Sequence, residues 1–325
     1  MPPAARESFL RLGTIRDSTR RLYAEALARF ESWAKPKSYD LSSFNSTDSA
    51  MEDYFTELYF GGSGPAEGRN VLYGYIHFNT HLDRNKANLF PKASRAIRGW
   101  TTRAPQRVRD PIPFCVVCML GLYFLDKGLI GVAVCLALQF DCYLRPDEAV
   151  SLLLSSLLPP APRAGRRYAR AWALLLGEAE HAAPTKTGVV DGTVVIGELQ
   201  RPWVAEAVGL WYRAGGSAPY MFDLTLPKYE ALFRRAAFDL GLTDLDISPH
   251  GVRHAGASHD VHTGVATLDQ IQKRGQWAHA QSVVRYSKHG KILRQVHKLP
   301  ADQQSRASAA ERSFPSRLLR TLRKS

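Results

Sequence analysis

The stretch "SPHGVRHAG", residues 248–256, places His250, Arg253 and His254 within five positions, beside a proline and two glycines. Such a run fits a polar surface, a metal site, or the wall of a pocket for a negatively charged group. A zinc site needs a third ligand, and an arginine between the two histidines would put a positive charge next to the metal. The stretch therefore favours a pocket for an anion, and we expect no metal there.

The charge of the whole chain points the same way. Its 325 residues, enough for about two domains, carry 43 lysines and arginines against 30 aspartates and glutamates, a formal net charge of +13. A strongly basic protein attracts polyanions, of which nucleic acid is the commonest. Composition alone leaves open a basic soluble protein without such a partner.

The cysteines and the apolar segments indicate an intracellular protein. Cys115 and Cys118 form a C-x-x-C, but they lie in the apolar run "IPFCVVCMLGLYFL" without the polar partners of a zinc or redox site. Buried helical thiols in a reducing compartment are the simpler interpretation. No run reaches the roughly 18–20 apolar residues of a membrane span, so we expect no membrane association.

The N-terminal part of the chain predicts a helical domain. In "RDSTRRLYAEALARFESWAK", residues 16–35, apolar side chains recur at helical spacing. Residues 92–109 carry six basic and no acidic side chains. We therefore expect a helical domain over residues 1–95 and a basic linker over 96–112.

The remainder predicts a mixed domain over residues 113–300 and a basic tail over 301–325. Its first two helices, 113–126 and 129–142, are strongly apolar. Residues 170–180 and 192–199 have the pattern of strands, separated by the loop 181–191. Further helices are predicted at residues 202–214, 227–240, 251–263 and 267–275. The tail is either disordered or a short basic helix that docks elsewhere.

Four further residues accompany the opening stretch in a fixed order. Arg145 begins a helix in "LRPDE", Lys186 lies in the loop sequence "PTKTG", and Trp277 precedes Tyr286 by nine residues. With this order and spacing the sequence resembles the tyrosine recombinase (phage integrase) family, which includes Cre-like and Xer-like enzymes. The segment "STRRLYAEALARFESWA" is also similar to the first helix of the family's N-terminal domain, so the resemblance covers nearly the whole chain.

The resemblance implies both the fold and the catalytic groups. The fold would be an α-helical N-terminal DNA-clamping domain plus a mixed α+β catalytic domain, mostly helical with a small antiparallel sheet. The implied catalytic residues are Arg145, Lys186, His250, Arg253, Trp277 and Tyr286. The chain departs from the usual pattern in two places: Trp277 stands where histidine is more common, and 41 residues separate Arg145 from Lys186.

The implied roles suit metal-free cleavage of a phosphodiester. Arg145 and Arg253 would bind the non-bridging oxygens and favour the charge-rich transition state. Tyr286 would attack phosphorus, and in this family a 3′-phosphotyrosine and a free 5′-hydroxyl result. Lys186 would supply the proton for the 5′-oxygen.

The remaining residues are expected to complete the pocket. His250 would orient or deprotonate the nucleophile, and Trp277 would donate its indole N–H to the phosphate. His254 would support the pocket structurally. Glu148 would hold either a neighbouring backbone group or Arg145.

The resemblance thus implies a site-specific recombinase or integrase of a mobile element, acting on DNA in the nucleoid or nucleus without metal, ATP or another cofactor. Its partner would be double-stranded DNA, clamped between two domains, with four protomers on two sites and a C-terminal segment docking on a neighbour. Two alternatives stay open. One is a type IB topoisomerase-like enzyme that relaxes DNA, and the other is a non-catalytic DNA-binding protein of the same fold.

Overall fold

A computed structural model of the chain describes residues 15–79, 89–104, 110–165, 171–176, 192–287 and 290–324. The chain divides into two compact units, residues 1–108 and residues 109–325. Each unit has its own hydrophobic core. In the described part of the chain, no helix is both long and apolar enough to cross a membrane.

The N-terminal unit is helical, as the sequence predicts. Its helices are α1 (Asp17–Ala34), α2 (Phe44–Phe60), α3 (Pro65–Phe78) and α4 (Pro91–Arg103). Helix α1 buries Ala26, Phe30 and Ala34, which recur every four residues and so share one face. The same face-to-core arrangement repeats in the other three helices and gives the unit one shared core.

The linker predicted over 96–112 differs from the structure, because residues 96–103 form the second half of α4. Ile97 and Trp100 are buried in the N-terminal core, whereas the side chains of Arg98 and Arg103 are exposed. This strongly basic segment therefore forms an amphipathic helix whose apolar stripe is only a few residues wide. The N-terminal unit consequently extends beyond residue 95, to residue 108.

The C-terminal unit begins with the two predicted apolar helices, α5 (Phe114–Asp126) and α6 (Ile130–Cys142), followed by the short α7 (Pro146–Val150). Helix α6 is buried on all sides, which explains why it lacks a polar face. The four cysteines are free thiols; three are buried and Cys115 is partly buried.

A small antiparallel sheet follows, in the order β1 (Leu157–Leu158), β2 (Trp172–Leu176), β3 (Gly192–Ile196). Leu174 of β2 pairs with Leu157 on one side and with Val194 on the other. Burial alternates along β2 and β3, so one face of the sheet packs on the core. This confirms the two predicted strands. Lys186 belongs to the connection between them, residues 177–191, which lies outside the described residues.

The rest of the unit is helical. Its elements are α8 (Pro202–Arg213), α9 (Leu226–Asp239), α10 (Pro249–His262), α11 (Leu268–Arg274), α12 (Gln281–Val284), a 3₁₀ turn (Arg285–Ser287), α13 (Gly290–His297) and α14 (Ala301–Leu322). The segment predicted as a tail is therefore largely the 22-residue helix α14. Its buried side chains include Phe314 and Leu318, and they pack against α5 and α8 of the same unit. The predicted fold class, mostly helical with a small antiparallel sheet, is confirmed.

Candidate active site

Arg145 lies at the N-cap of α7, where the helix start fixes its backbone. Pro146 occupies the first helical position, which suits its fixed φ. The Arg145 backbone N–H donates to a carboxylate oxygen of Glu148 at 2.7 Å, and the guanidinium forms an ion pair with the same carboxylate. Glu148 thus holds both the backbone and the side chain of Arg145.

Arg253 lies on α10 and is only 4% exposed. Its guanidinium donates to the carbonyl oxygen of Tyr143 and, at 2.5 Å, to that of Gly275. Its Nη1 also lies 3.8 Å from a carboxylate oxygen of Glu148. Burial, together with the nearby charge of Arg145, lowers the pKa of Arg253 to about 10, so the side chain stays cationic at neutral pH.

Two guanidinium groups therefore share one carboxylate. Glu148 neutralises one of the two positive charges of Arg145 and Arg253, and a net positive charge remains in a partly desolvated setting. Such a site gains most from a ligand that brings negative charge and several acceptor oxygens, as a phosphate group does.

Tyr286 lies in the 3₁₀ turn Arg285–Ser287 and is 4% exposed. Its hydroxyl oxygen is 2.7 Å from Nδ1 of His254, which projects from α10. Burial raises the pKa of the Tyr286 phenol to about 12, although the positive charges of Arg253 and Arg285 act in the opposite direction. The phenol is therefore neutral at physiological pH and directly contacts an imidazole.

Trp277 joins the arginine and the tyrosine. The guanidinium carbon of Arg253 lies 4.4 Å from the centroid of the indole ring. The centroids of the Trp277 and Tyr286 rings are 5.1 Å apart. The turn that carries Trp277 needs a glycine before it, because a Cβ on Gly275 would lie 1.9 Å from the indole ring. The sequence "RGQW" thus shapes the turn that carries Trp277.

The two histidines of the opening stretch occupy different positions on α10. His250 lies in the first turn and is exposed, and its ring packs edge-on against that of His254, with centroids 4.8 Å apart. His254, one turn later, reaches Tyr286. Of the predicted site residues, all except Lys186 are described, and they lie together at one end of α10. In the described part of the chain, no cluster of three or more metal-ligating side chains occurs.

The sequence interpretation missed a buried ionic network beneath this site. The guanidinium of Arg201 donates to a carboxylate oxygen of Asp141 on α6 at 2.8 Å and to one of Asp260 on α10 at 2.7 Å. The guanidinium of Arg274 donates to a carboxylate oxygen of Asp141 at 3.1 Å. Asp260 also accepts a hydrogen bond from the hydroxyl of Tyr143, whose carbonyl holds Arg253. Part of the signal was present in the sequence, since Asp141 interrupts a helix that is otherwise strongly apolar.

The comparisons with known proteins bear on the fold. A structure of the Tn1549 transposon integrase in complex with transposon right end DNA matches 93% of this chain and 96% of its own, with a TM-score of 0.59 and 14% sequence identity. The chain has the fold of the Tn1549 integrase. A second structure of the Tn1549 integrase, with a circular intermediate DNA, matches 86% of this chain and 99% of its own, with a TM-score of 0.53 and 13% identity.

Sequence comparisons add nothing to this fold assignment. No protein-family model matches the chain. No curated protein sequence matches it either. The likeness to the Tn1549 integrase is thus one of architecture, and what this site does has to be argued from its own residues.

Proposed function

We propose that the protein is a site-specific DNA recombinase or integrase that cleaves and rejoins DNA through a 3′-phosphotyrosine. One observation carries the proposal: a buried tyrosine, a base in contact with its hydroxyl, and two arginines that share one carboxylate occur together on the fold of a transposon integrase. A nucleophile and a phosphate-binding pair are the parts that metal-free phosphodiester cleavage requires.

In this proposal Arg145 and Arg253 bind the non-bridging oxygens of the scissile phosphate. Negative charge on those oxygens would neutralise the positive charge of the two arginines that Glu148 leaves unbalanced. Arg253 is held in place by two backbone carbonyls before any ligand binds. Such preorganisation favours the transition state because the site does not need to reorganise when charge develops.

Tyr286 would attack phosphorus and displace the 5′-oxygen, and Trp277 would pack the nucleophile and the guanidinium against each other. Lys186 remains the proposed proton donor to the leaving oxygen, as the resemblance implies. The transfer exchanges one phosphoester bond for another and so conserves the bond energy, which allows the strand to be rejoined without ATP or a cofactor.

The proposed partner is double-stranded DNA, with four protomers on two sites and action at the nucleoid or nucleus. The net charge of +13 supports a polyanionic partner. The Tn1549 integrase structures are complexes with DNA, which supports the same partner class for this chain.

A covalent-trapping experiment tests the function. Wild type and Tyr286→Phe would each be mixed with nicked genomic fragments in EDTA, and DNA that stays attached to protein in denaturant would be sequenced. We expect capture by wild type only, at a shared sequence, with equal non-covalent binding by both proteins. Equal capture by both, or capture by neither while both bind DNA, would contradict the proposal.

A further inference from the structure

The hydroxyl of Tyr286 has a direct partner that the sequence interpretation treated as structural. Nδ1 of His254 lies 2.7 Å from the phenolic oxygen, and the two rings are 5.5 Å apart between centroids. We propose that His254, not His250, is the residue that accepts the proton of Tyr286 as the phenol attacks phosphorus. This inference rests on the proposed function and adds a catalytic residue to it.

The burial of Tyr286 makes a local base necessary. With a pKa raised to about 12 by burial, only about one phenol in 10⁵ is ionised at pH 7. The side chain is 4% exposed, so bulk water has little access to remove the proton. An imidazole within hydrogen-bond distance is the kind of group that proton transfer in a transition state requires.

The position of the two histidines on α10 favours His254 as the base. His250 is the second residue of this helix, and His254 lies one turn further along, where its Nδ1 reaches the phenolic oxygen of Tyr286. His250 is exposed and contacts the edge of the His254 ring, so it is placed to orient that ring or the phosphate.

The proposed step balances in atoms and charge. The Tyr286 oxygen forms a bond to phosphorus while the bond from phosphorus to the 5′-oxygen breaks. The phenolic proton passes to Nδ1 of His254, which becomes an imidazolium, and the 5′-oxygen receives a proton from the group proposed for that role, Lys186. On rejoining, the same protons return in the opposite direction.

Chemical rescue tests the assignment. His254→Ala would be assayed for adduct formation on a nicked duplex that carries the sequence captured by wild type, alone and with added imidazole or 1,2,4-triazole. The two rings are alike in shape, but triazole is a far weaker base. We expect about a 10²–10⁴-fold slower adduct formation in His254→Ala, rising in proportion to imidazole and not with triazole, at unchanged affinity for DNA.

His250→Ala serves as the matched control, since it removes the neighbouring ring of the same helix. We expect it to slow adduct formation without rescue by either ring. Rescue of His250→Ala alone would assign the proton to His250 and overturn the proposal. Equal rescue of His254→Ala by both rings would show a packing role, and a rate within about threefold of wild type would show no role.

A second variant keeps the test valid if the alanine variant does not fold. His254→Gln fills the same space and keeps a hydrogen-bonding side chain that cannot accept a proton at neutral pH. We expect a melting temperature close to wild type and a rate as slow as that of His254→Ala. Wild-type speed in this variant would refute the proposal, whereas failure of wild type itself to form an adduct would refute the proposed function.

Discussion

At the scale of single residues, the site depends on groups that burial keeps in a defined charge state. Tyr286 and Arg253 are both about 4% exposed. Burial raises the pKa of the Tyr286 phenol and lowers the pKa of the Arg253 guanidinium, and each shift favours the neutral form of the group. The phenol is therefore protonated and the guanidinium still charged at neutral pH. His259, on the same helix as Arg253, shows a third case, in which burial keeps the side chain uncharged at neutral pH.

The partly buried imidazole of His259 makes the stability of the fold depend on pH. It packs against Phe114 and Phe140, and burial lowers its pKa from 6.5 to about 4. Between those values the unfolded chain binds a proton that the folded chain does not, so stability is full above pH 6.5 and falls as the pH drops towards 4. We expect His259→Phe to remove up to about 3 kcal/mol of this loss.

Urea unfolding of wild type and His259→Phe at pH 7 and pH 4.5 measures the effect. Because both proteins share all other titrating groups, the difference between their losses isolates His259. Identical losses in the two proteins would show that this imidazole titrates normally in the folded state.

At the scale of elements, the buried network fixes α6 and α10 relative to each other. Asp141 and Asp260 are fully buried and share Arg201, and Asp260 also accepts from the hydroxyl of Tyr143. Tyr143 ends α6 in a left-handed conformation, and its carbonyl receives Arg253. The network thus supports Arg253 from beneath.

Asp260→Asn is expected to destabilise the fold by about 3–5 kcal/mol, because it leaves the buried Arg201 with one carboxylate instead of two. The matched control is Asp269→Asn, which breaks an ion pair with Lys273 whose side chains are 68% and 76% exposed. An exposed pair contributes little. Equal unfolding free energies for the two variants, measured by urea denaturation, would contradict this account.

The same elements show what the sequence could and could not reveal. The apolar runs of α5 and α6 and the strand-like segments around β2 and β3 predicted those elements well, because each pattern depends on residues close in sequence. The network was missed because its partners, such as Arg201 and Asp260, are 59 residues apart. The sequence predicts the segment of α14 only as a basic tail, either disordered or a short helix, since four arginines obscure the spacing of the helix's buried side chains.

The candidate site likewise contains residues that the sequence predicts and a contact that it does not. The order and spacing of Arg145, Arg253, Trp277 and Tyr286 predicted residues that do lie together, since a chemical mechanism fixes their types. The contact between His254 and Tyr286 depends on how a helix faces a turn 32 residues later, and no local pattern encodes that distance. Lys186 lies outside the described residues, and its role stays a prediction.

At the scale of the whole molecule, helix α14 completes the core of the C-terminal unit. A Cβ on Gly121 of α5 would lie 2.4 Å from the ring of Phe314, so the two helices meet ring against backbone. We expect Phe314→Ala to cost about 3–5 kcal/mol in the free energy of unfolding, as seen by urea denaturation of the unbound protein. A stability equal to wild type would show that α14 is not part of this core in solution.

The positive charge of the whole chain should set the salt dependence of DNA binding. If six to ten phosphates are contacted, affinity is expected to fall roughly 10³–10⁵-fold between about 50 and about 200 mM salt. Replacing the exposed Arg98 and Arg103 of α4 with glutamine should make the salt slope shallower by about 0.9 for each phosphate that the protein no longer neutralises. Binding that varies little with salt in a filter or anisotropy assay would argue against a phosphate-dominated interface.

We propose that Tyr286 becomes joined to the 3′ end of a cleaved strand. The most direct test is to digest the trapped adduct with trypsin, identify the nucleotide-bearing peptide by mass spectrometry, and label the free DNA end with a kinase that requires a 5′-hydroxyl. We expect a nucleotide on Tyr286 and a labelled 5′-hydroxyl end. A nucleotide on another residue, or a 5′ end that is blocked by protein, would contradict it.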